Sequence, residues 1–502
     1  MMLKLLKKIT KSTAIYSIGQ IAPKLVGLAL LPFFTNEIFL TAEDYGKLSM
    51  LEATSAFLIT LFSFGFNFAL ERWYYDKKYI ESRKSIVFTL LIATIFLTVF
   101  FWVVLSIFST QLSILLTGQE KWTKLLNLLF FCSALDSITV LPTTLLRLEE
   151  KPVKFISSSI FRFTLYFVLT IIFLVTLRQG LEGIYIARAI SSLAIFLALL
   201  YYLYSHLTFR FEWIALKEMV IFRLPLVLSS VAYIIFNITD RFSLRFLSDN
   251  SFKDVGIYSL GYSIVNSIKL VILSAIWLSL RPIIYQMMDD PKNKRFYSKI
   301  MKYISFLIVF LLLGISVFGQ EVIMIFAGSE IYYEAFYIIP IISVALIFDT
   351  LKEISQAISL NIIKKTGIIA ITIIFATVIN IGMNILLIPA LNIYGAALST
   401  MISQIFFFAV IYKFSQKYYY VPYEIRRILV MIVIFIILAG LSLLTSDLNL
   451  LIRIPVKLVI VASFPLFLFF LNFFENIELV RLKGMWRKLK NPAELIKLLS
   501  QD

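Results

Sequence analysis

The chain has 502 residues, of which 60% are hydrophobic and 15% are charged, and its formal net charge is +17. A soluble protein of this length cannot bury so large an apolar fraction, so the composition excludes a water-soluble enzyme and predicts an all-α polytopic membrane protein. The single cysteine, Cys132, and the single histidine, His206, exclude an intrachain disulfide and a histidine–cysteine metal site. We therefore predict no catalytic residue, no bound metal and no cofactor.

About 14 apolar stretches have the length of a membrane-spanning helix, which needs roughly 20 residues. The connectors between them are short and leave no room for a folded soluble domain. The predicted spans run approximately over residues 12–36, 46–70, 85–108, 124–147, 154–177, 183–206, 219–240, 256–280, 300–319, 334–358, 366–389, 394–414, 427–446 and 453–474.

An internal repeat organises these spans. The connector TAEDYGKLS (41–49) returns as SFKDVGIYS (251–259), again between two apolar stretches. Further residues recur at separations of 210 to 213 positions, which predicts two equivalent sets of six spans. The matching pairs are Gly46 and Gly256, Gly118 and Gly328, Asp136 and Asp349, and Gly183 and Gly395.

The repeat predicts two six-helix lobes followed by two extra helices. Six is an even number, so both lobes have the same orientation and are related by a pseudo-twofold axis along the membrane normal. The predicted divisions are a basic N-terminus (1–11), a first lobe (12–206), a linker (207–218), a second lobe (219–416), spans 13 and 14 with their preceding loop (417–475), and a basic amphipathic tail (476–502).

The distribution of Lys and Arg predicts the orientation. The odd-numbered connectors carry 9 of these residues, whereas the even-numbered connectors and the two tails carry 33. Positive charge stays on the cytoplasmic side, so both termini are predicted to be cytoplasmic. The net charge then reflects topology and attraction to anionic membrane lipids, and gives no support for nucleic-acid binding.

Several motifs carry a resemblance to a known family. They are SIGQIAPKLVGLALLPFF (17–34), EDYGKLS (43–49), GFNFALERWYY (65–75) and LLRLEEKPVKF (145–155). Together with the 6+6+2 plan, they resemble the polysaccharide-biosynthesis flippases of the multidrug/oligosaccharidyl-lipid/polysaccharide exporter superfamily, which include the Wzx-type O-antigen and capsule flippases.

The resemblance implies a function without covalent chemistry. A member of this family moves undecaprenyl-pyrophosphate-linked oligosaccharides from the inner to the outer leaflet of the cytoplasmic membrane. Glycosyltransferases and a polysaccharide polymerase are the functional partners that such a role implies.

Charged residues inside the predicted spans are candidates for substrate binding, because a charge in the membrane usually faces a protein interior or a wet cavity. Lys24 lies about 18 Å into the first span at ~1.5 Å per residue, beside the kink-forming Pro23. We predict pyrophosphate binding by Lys24, Arg162, Arg188 and Lys269. The alternative for these cations is snorkelling or a structural pair with a carboxylate such as Asp136.

The remaining charges within or at the ends of the predicted spans have structural as well as functional interpretations. Asp136 and Asp349 are predicted to form either a coupling-ion or proton site, or a buried structural carboxylate. Lys352 is predicted to be neutralised within its own span by Asp349 and Glu353. Arg241 and Arg245, with Asp240, mark the outer end of span 7, and the two arginines form either an outer gate for the emerging pyrophosphate or an ordinary solvated edge.

Two other functions remain open from the sequence. A drug or cation antiporter of the same superfamily needs intramembrane acids, but the first span holds a lysine and no interior acid. A polysaccharide polymerase or glycosyltransferase needs a large external loop, and the longest predicted external connectors have about 15 residues. The favoured mechanism is alternating access, in which two lobes rock about a cationic cavity.

Overall fold

The computed structural model describes residues 19, 21–288, 290, 293–363 and 365–475. The predicted basic N-terminus (1–11) and the amphipathic tail (476–502) lie outside these residues. Within them the chain forms helices and no strand. The α-helices are α1 (Ile21–Phe34), α2 (Ala42–Ser63), α3 (Phe66–Trp73), α4 (Arg83–Ile107), α5 (Ser109–Thr117), α6 (Thr123–Leu148), α7 (Pro152–Ile171), α8 (Gly180–Tyr204), α9 (Trp213–Leu247), α10 (Phe252–Gln286), α11 (Asn293–Val317), α12 (Gly319–Phe326), α13 (Ala335–Ser355), α14 (Thr366–Tyr418), α15 (Ile425–Leu443) and α16 (Leu450–Phe470).

Most of these helices can cross a membrane. Eleven of those in the described ranges are long and apolar enough, and α2 with α3 forms a twelfth span that is bent by 47°. Helix α14 has 53 residues and contains two helical segments that meet at Asn392, where φ is 47°. The chain is therefore a multi-pass membrane protein, and the number of 14 spans stays a prediction.

Equivalent glycines of the repeat occupy equivalent turns. A β-carbon added at Gly183 would lie 2.9 Å from the β-carbon of Phe173, which is in the helical segment before the turn. A β-carbon added at Gly395 would lie 2.4 Å from the carbonyl oxygen of Leu387, across the turn at Asn392. Both turns pack the chain so closely that a side chain would not fit.

The two lobes meet where the repeated connectors lie, and we call this side of the molecule the glycine end. Helices α2 and α10 approach each other there through Gly46 and Gly256. An added β-carbon would lie 1.8 Å from the carbonyl oxygen of Phe252 in the first case, and 2.7 Å from that of Ala42 in the second. Glycine permits this backbone contact because it has no β-carbon.

A second contact at the glycine end is reciprocal. The Thr35 hydroxyl donates to the Phe326 carbonyl at 3.0 Å, and the Arg245 guanidinium donates to the Leu116 carbonyl at 3.2 Å. The two donors are 210 residues apart, and so are the two acceptors. Each lobe thus gives the other the same contact, as a pseudo-twofold axis requires.

The last two helices lie outside this symmetry and pack on the second lobe. The ring of Phe464 in α16 stacks on that of Phe306 in α11, with 6.2 Å between centroids. Glu321 accepts from Lys457 at 2.7 Å and forms an ion pair with Arg453, whose Nε lies 2.7 Å from a carboxylate oxygen. The sequence count assigned these two cations to a connector, but both lie within α16, where they share Glu321 as their partner.

Candidate functional site

A cavity of 590 Å³ lies between the lobes and is called the central cavity. Helices α1 and α2 of the first lobe face α9 and α10 of the second across it. Its charged lining residues are Lys24, Glu52 and Arg241. The other lining residues are Pro23, Gly27, Leu28, Leu31, Phe34, Tyr45, Leu48, Ser49, Ala53, Ala56, Tyr233, Ile234, Asn237, Ile238, Tyr262, Ser263, Asn266 and Ser267.

A larger cavity of 860 Å³ lies between the lobes on the side of the connector that joins α8 to α9. We call that side the linker end and this cavity the linker-end cavity. Its charged lining residues are Arg223, Lys352 and Glu353. Tyr233 and Ile234 line both cavities, so the two spaces adjoin along α9.

Two of the predicted substrate-binding cations are held inside the first lobe. Asp136 on α6 accepts from Arg162 on α7, and from Arg188 on α8 at 3.0 Å. The guanidinium of Arg188 also reaches both oxygens of Glu52 at 3.0 Å, while the Ser192 hydroxyl donates to Asp136 at 2.7 Å. We call the four charged residues the first-lobe cluster, and its formal charges cancel.

The second lobe contains an equivalent cluster around the matching aspartate. Asp349 on α13 accepts from Lys269 on α10 and from Lys352, one turn further along α13. Lys269 is 2% exposed and also lies 3.1 Å from Glu353. The formal charges of this second-lobe cluster cancel as well. Asp136 and Asp349 thus each sit between two cations, which is the structural alternative raised by the sequence.

The cations that face the central cavity are not neutralised in this way. Lys24 has no hydrogen bond or ion pair with any residue the structure describes. Arg241 donates to the Ser259 hydroxyl at 3.2 Å and lies over the Tyr262 ring at 5.1 Å, with no carboxylate partner in the described part of the chain. The central cavity therefore offers two positive groups to an anion, because Glu52 is already paired with Arg188.

Sequence reasoning placed Asp240 beside Arg241 and Arg245 at the outer end of span 7, but it did not predict that this acid is buried in the second lobe. Asp240 on α9 is 3% exposed and accepts from Tyr258 at 2.8 Å and from Thr400 at 2.5 Å. Asn380 and Asn384 both lie 3.1 Å from its other oxygen. Within the described residues no base pairs with Asp240. The signal was present in α14, where two asparagines four positions apart share one helix face.

The comparison with known families identifies the chain. A family model described as polysaccharide biosynthesis protein matches residues 9–288, which is more than half of the sequence. The chain belongs to this family. No curated protein matches it by sequence.

Solved structures show that this polysaccharide biosynthesis protein has the fold of the MOP superfamily. The lipid II flippase MurJ in an inward closed conformation aligns with a TM-score of 0.72 and 16% identity, over 91% of this chain and 99% of that chain. An inward-facing multidrug resistance MATE transporter aligns with a TM-score of 0.65 and 16% identity, over 80% and 94%.

A third likeness is to a MOP superfamily transporter from Pyrococcus furiosus whose description notes a binding pocket of reverse polarity. It aligns with a TM-score of 0.54 and 16% identity, over 82% of this chain and 95% of that chain. Identities this low establish the fold alone.

The predicted site residues of this polysaccharide biosynthesis protein are thus divided among three places. Lys24 and Arg241 line the central cavity. Arg245 lies in the contact between the lobes at the glycine end. The remaining three cations, Arg162, Arg188 and Lys269, belong to the neutral clusters and line neither cavity. Substrate binding by any of them stays a prediction.

Proposed function

We propose that the protein is a flippase that carries undecaprenyl-pyrophosphate-linked oligosaccharide repeat units from the inner to the outer leaflet of the cytoplasmic membrane. The product would supply an O-antigen, a capsule or another surface polysaccharide. The observation that carries the proposal is the pair of uncompensated cations, Lys24 and Arg241, in a cavity between two lobes. A pyrophosphate supplies the negative charge that this cavity lacks, through charge-assisted hydrogen bonds.

The arrangement of the lobes supports alternating access. The glycine end is closed by backbone contacts, while the larger cavity lies at the linker end. We propose that the linker end faces the cytoplasm, because the Lys and Arg count places the linker there. Rocking of the lobes would open the glycine end to the other leaflet. The polyprenyl chain stays in the lipid while the headgroup crosses.

A drug or cation antiporter fits the cavity less well. Such a transporter needs a free carboxylate facing its substrate, but Glu52 is held by both its oxygens on Arg188. An enzymatic role as a polymerase is not favoured either, because such an enzyme needs a large external loop and the longest predicted external connectors have about 15 residues.

We further propose that Asp240 takes part in energy coupling, instead of Asp136 or Asp349. The latter two carboxylates each have two cations beside them, so a proton or a monovalent ion would have to displace a resident charge. Asp240 has neutral partners only, which all donate hydrogen bonds to it, so it can take up a proton without displacing a resident charge.

Lys24→Ala tests the proposed substrate site. Losing one charge-assisted contact costs about 1.5–3 kcal/mol, which is roughly a tenfold to hundredfold loss of affinity. We expect transport to fail while the protein still accumulates in the membrane. Lys24→Arg should keep part of the activity, because the charge survives with a different geometry. The readout is surface polysaccharide in a strain that lacks its own flippase, with membrane protein level measured alongside.

Lys217→Ala is the matched control, since Lys217 is an exposed lysine outside both cavities. If Lys24→Ala transports normally at normal abundance, the proposal that the central cavity binds the pyrophosphate is wrong. A collapse in abundance would assign Lys24 a structural role.

A further inference from the structure

One cation of the linker-end cavity has no counter-charge. Lys352 and Glu353 line that cavity too, but both belong to the second-lobe cluster. Arg223 on α9 is 3% exposed and has no carboxylate partner among the described residues. A guanidinium so removed from water is costly without a counter-charge, which makes Arg223 a candidate for binding an anion.

The niche around Arg223 is built by a break in the opposite lobe. Phe64 and Gly65 both have positive φ, at 48° and 61°, and they separate α2 from α3. Nε of Arg223 donates to the Phe64 carbonyl at 3.4 Å, and its guanidinium carbon lies 4.9 Å from the centroid of the Phe68 ring. A β-carbon at Gly65 would lie 1.9 Å from Nη2, so glycine is required for space as well as for its backbone angle.

This niche fixes the side chain and leaves donors for a ligand. One N–H is used on the Phe64 carbonyl and one face of the guanidinium is covered by Phe68. The planar fork of arginine can bind two oxygens of a phosphate at once. The site is therefore organised for a phosphate group that enters between the lobes from the linker end.

Helix α9 connects this niche to the central cavity. Ser230, Tyr233 and Asn237 line one or both cavities between Arg223 and Arg241. Their spacing of three, four or seven residues keeps them on one face of the helix. Eighteen residues at ~1.5 Å each put about 27 Å between the two arginines along the helix axis.

We infer that Arg223 is a loading subsite that binds the pyrophosphate of the lipid carrier before it passes along α9 to Lys24 and Arg241. The inference rests on the proposed function. A phospholipid headgroup offers the same phosphate chemistry, so the test must separate the two sources.

The experiment uses the full-length protein in phosphatidylcholine nanodiscs, with undecaprenyl pyrophosphate as the probe and undecaprenol as its phosphate-free counterpart. We expect Arg223→Met to weaken pyrophosphate binding at least tenfold and to leave undecaprenol binding unchanged. The affinity of Arg223→Lys for undecaprenyl pyrophosphate should lie between that of the unmodified protein and that of Arg223→Met. Lys217→Met, which removes an exposed cation from the same helix, should bind like the unmodified protein.

Three results would overturn the inference. The first is unchanged binding of undecaprenyl pyrophosphate by Arg223→Met together with a lower melting temperature. That result would mean that Arg223 only stabilises the contact between the lobes. The second is an affinity loss confined to phosphatidylglycerol, added in a parallel set of nanodiscs, which makes it a general lipid site. The third result concerns Phe68→Leu, a variant that keeps Arg223 and removes the aromatic ring beside it. This variant replaces Arg223→Met in the test if Arg223→Met does not fold. That variant should weaken binding several-fold, and unchanged binding contradicts the niche.

The test also separates this inference from the proposed function. If the unmodified protein binds undecaprenyl pyrophosphate no better than undecaprenol, the proposed substrate is wrong. If Lys24→Met weakens binding and Arg223→Met does not, only the loading subsite is wrong.

Discussion

Asp136 and Asp349 are each surrounded by two cations of their own lobe, and a second acid completes each set of four. Taking charges out of water is costly, and the mutual attraction of the four groups offsets that cost only while all partners are present. The clusters therefore join α2, α6, α7 and α8 in the first lobe and α10 and α13 in the second, and they leave no net charge there. If the proposed substrate is correct, its pyrophosphate must be attracted by charges elsewhere.

Asp136→Asn is expected to destabilise the first lobe. The change removes the negative charge that Arg162 and Arg188 share, and breaking a buried pair costs about 3–5 kcal/mol. The measurement is the apparent melting temperature of the purified protein, which should fall. Asp349→Asn should have a similar effect in the second lobe, whereas Lys24→Ala should not. If Asp136→Asn has normal stability but no longer transports, Asp136 takes part in transport and is not a structural carboxylate.

Asp240→Asn is expected to uncouple transport from its ion gradient. The amide keeps the shape of the carboxylate and its hydroxyl partners, but it can neither bind a proton nor balance a cation. Transport in cells should then no longer respond when an ionophore collapses the sodium or proton gradient. Asp249→Asn, an exposed aspartate just after α9, is the control. A normal ionophore response in Asp240→Asn would exclude this coupling site.

Sequence reasoning found the intramembrane cations but could not assign their partners. Counting residues along a helix gives the depth of a side chain, whereas its partner depends on which face of the helix it occupies. Arg162 and Asp136 are 26 residues apart and meet only because α6 and α7 pack together. Asp240 was grouped with Arg241, although adjacent residues on a helix do not share a face.

At the scale of the helices, the crossing of α2 and α10 determines whether the glycine end can close. Gly46→Ala would place a methyl group where the Phe252 carbonyl lies, so the closed contact could not form. We expect a shift toward a conformation open at the glycine end, with transport reduced. A cysteine at Ser49, which lines the central cavity, should then react with a thiol reagent added from that end.

The matched control is Gly314→Ala, because a β-carbon at Gly314 meets nothing within 4 Å. It should leave labelling and transport unchanged. If the cysteine at Ser49 is equally protected from the thiol reagent with and without Gly46→Ala, the crossing of α2 and α10 is not what closes the glycine end.

The repeat in the sequence matched Gly46 with Gly256, but neither the contact between them nor the break in the second span was predicted. The sequence suggested one helix over 46–70, whereas the structure ends α2 at Ser63 and restarts at Phe66. Hydropathy reports burial and carries no information on φ, so it cannot detect two residues in the left-handed region. The start of α9 at Trp213, inside the predicted linker, has a related cause, because an amphipathic first turn lowers the apolar signal.

At the scale of the whole molecule, the orientation in the membrane is still a prediction. We expect a cysteine at Glu43 to react with an impermeant thiol reagent in intact cells, and a cysteine at Lys77 not to react. Both positions are exposed, and they lie at opposite ends of the molecule. Cys132 is buried and can be replaced first to give a clean background. The reverse labelling pattern would invert the topology and the proposed direction of transport.

The reciprocal bonds of Thr35 and Arg245 have a consequence for the origin of the fold. Two contacts related by a twofold axis are what a homodimer forms when one surface patch binds its own copy. A half-length ancestor with the same orientation in the membrane could therefore have assembled by this patch before its gene was duplicated and fused. Divergence of the two copies after fusion would explain why Lys24 lies in one half and Asp240 in the other.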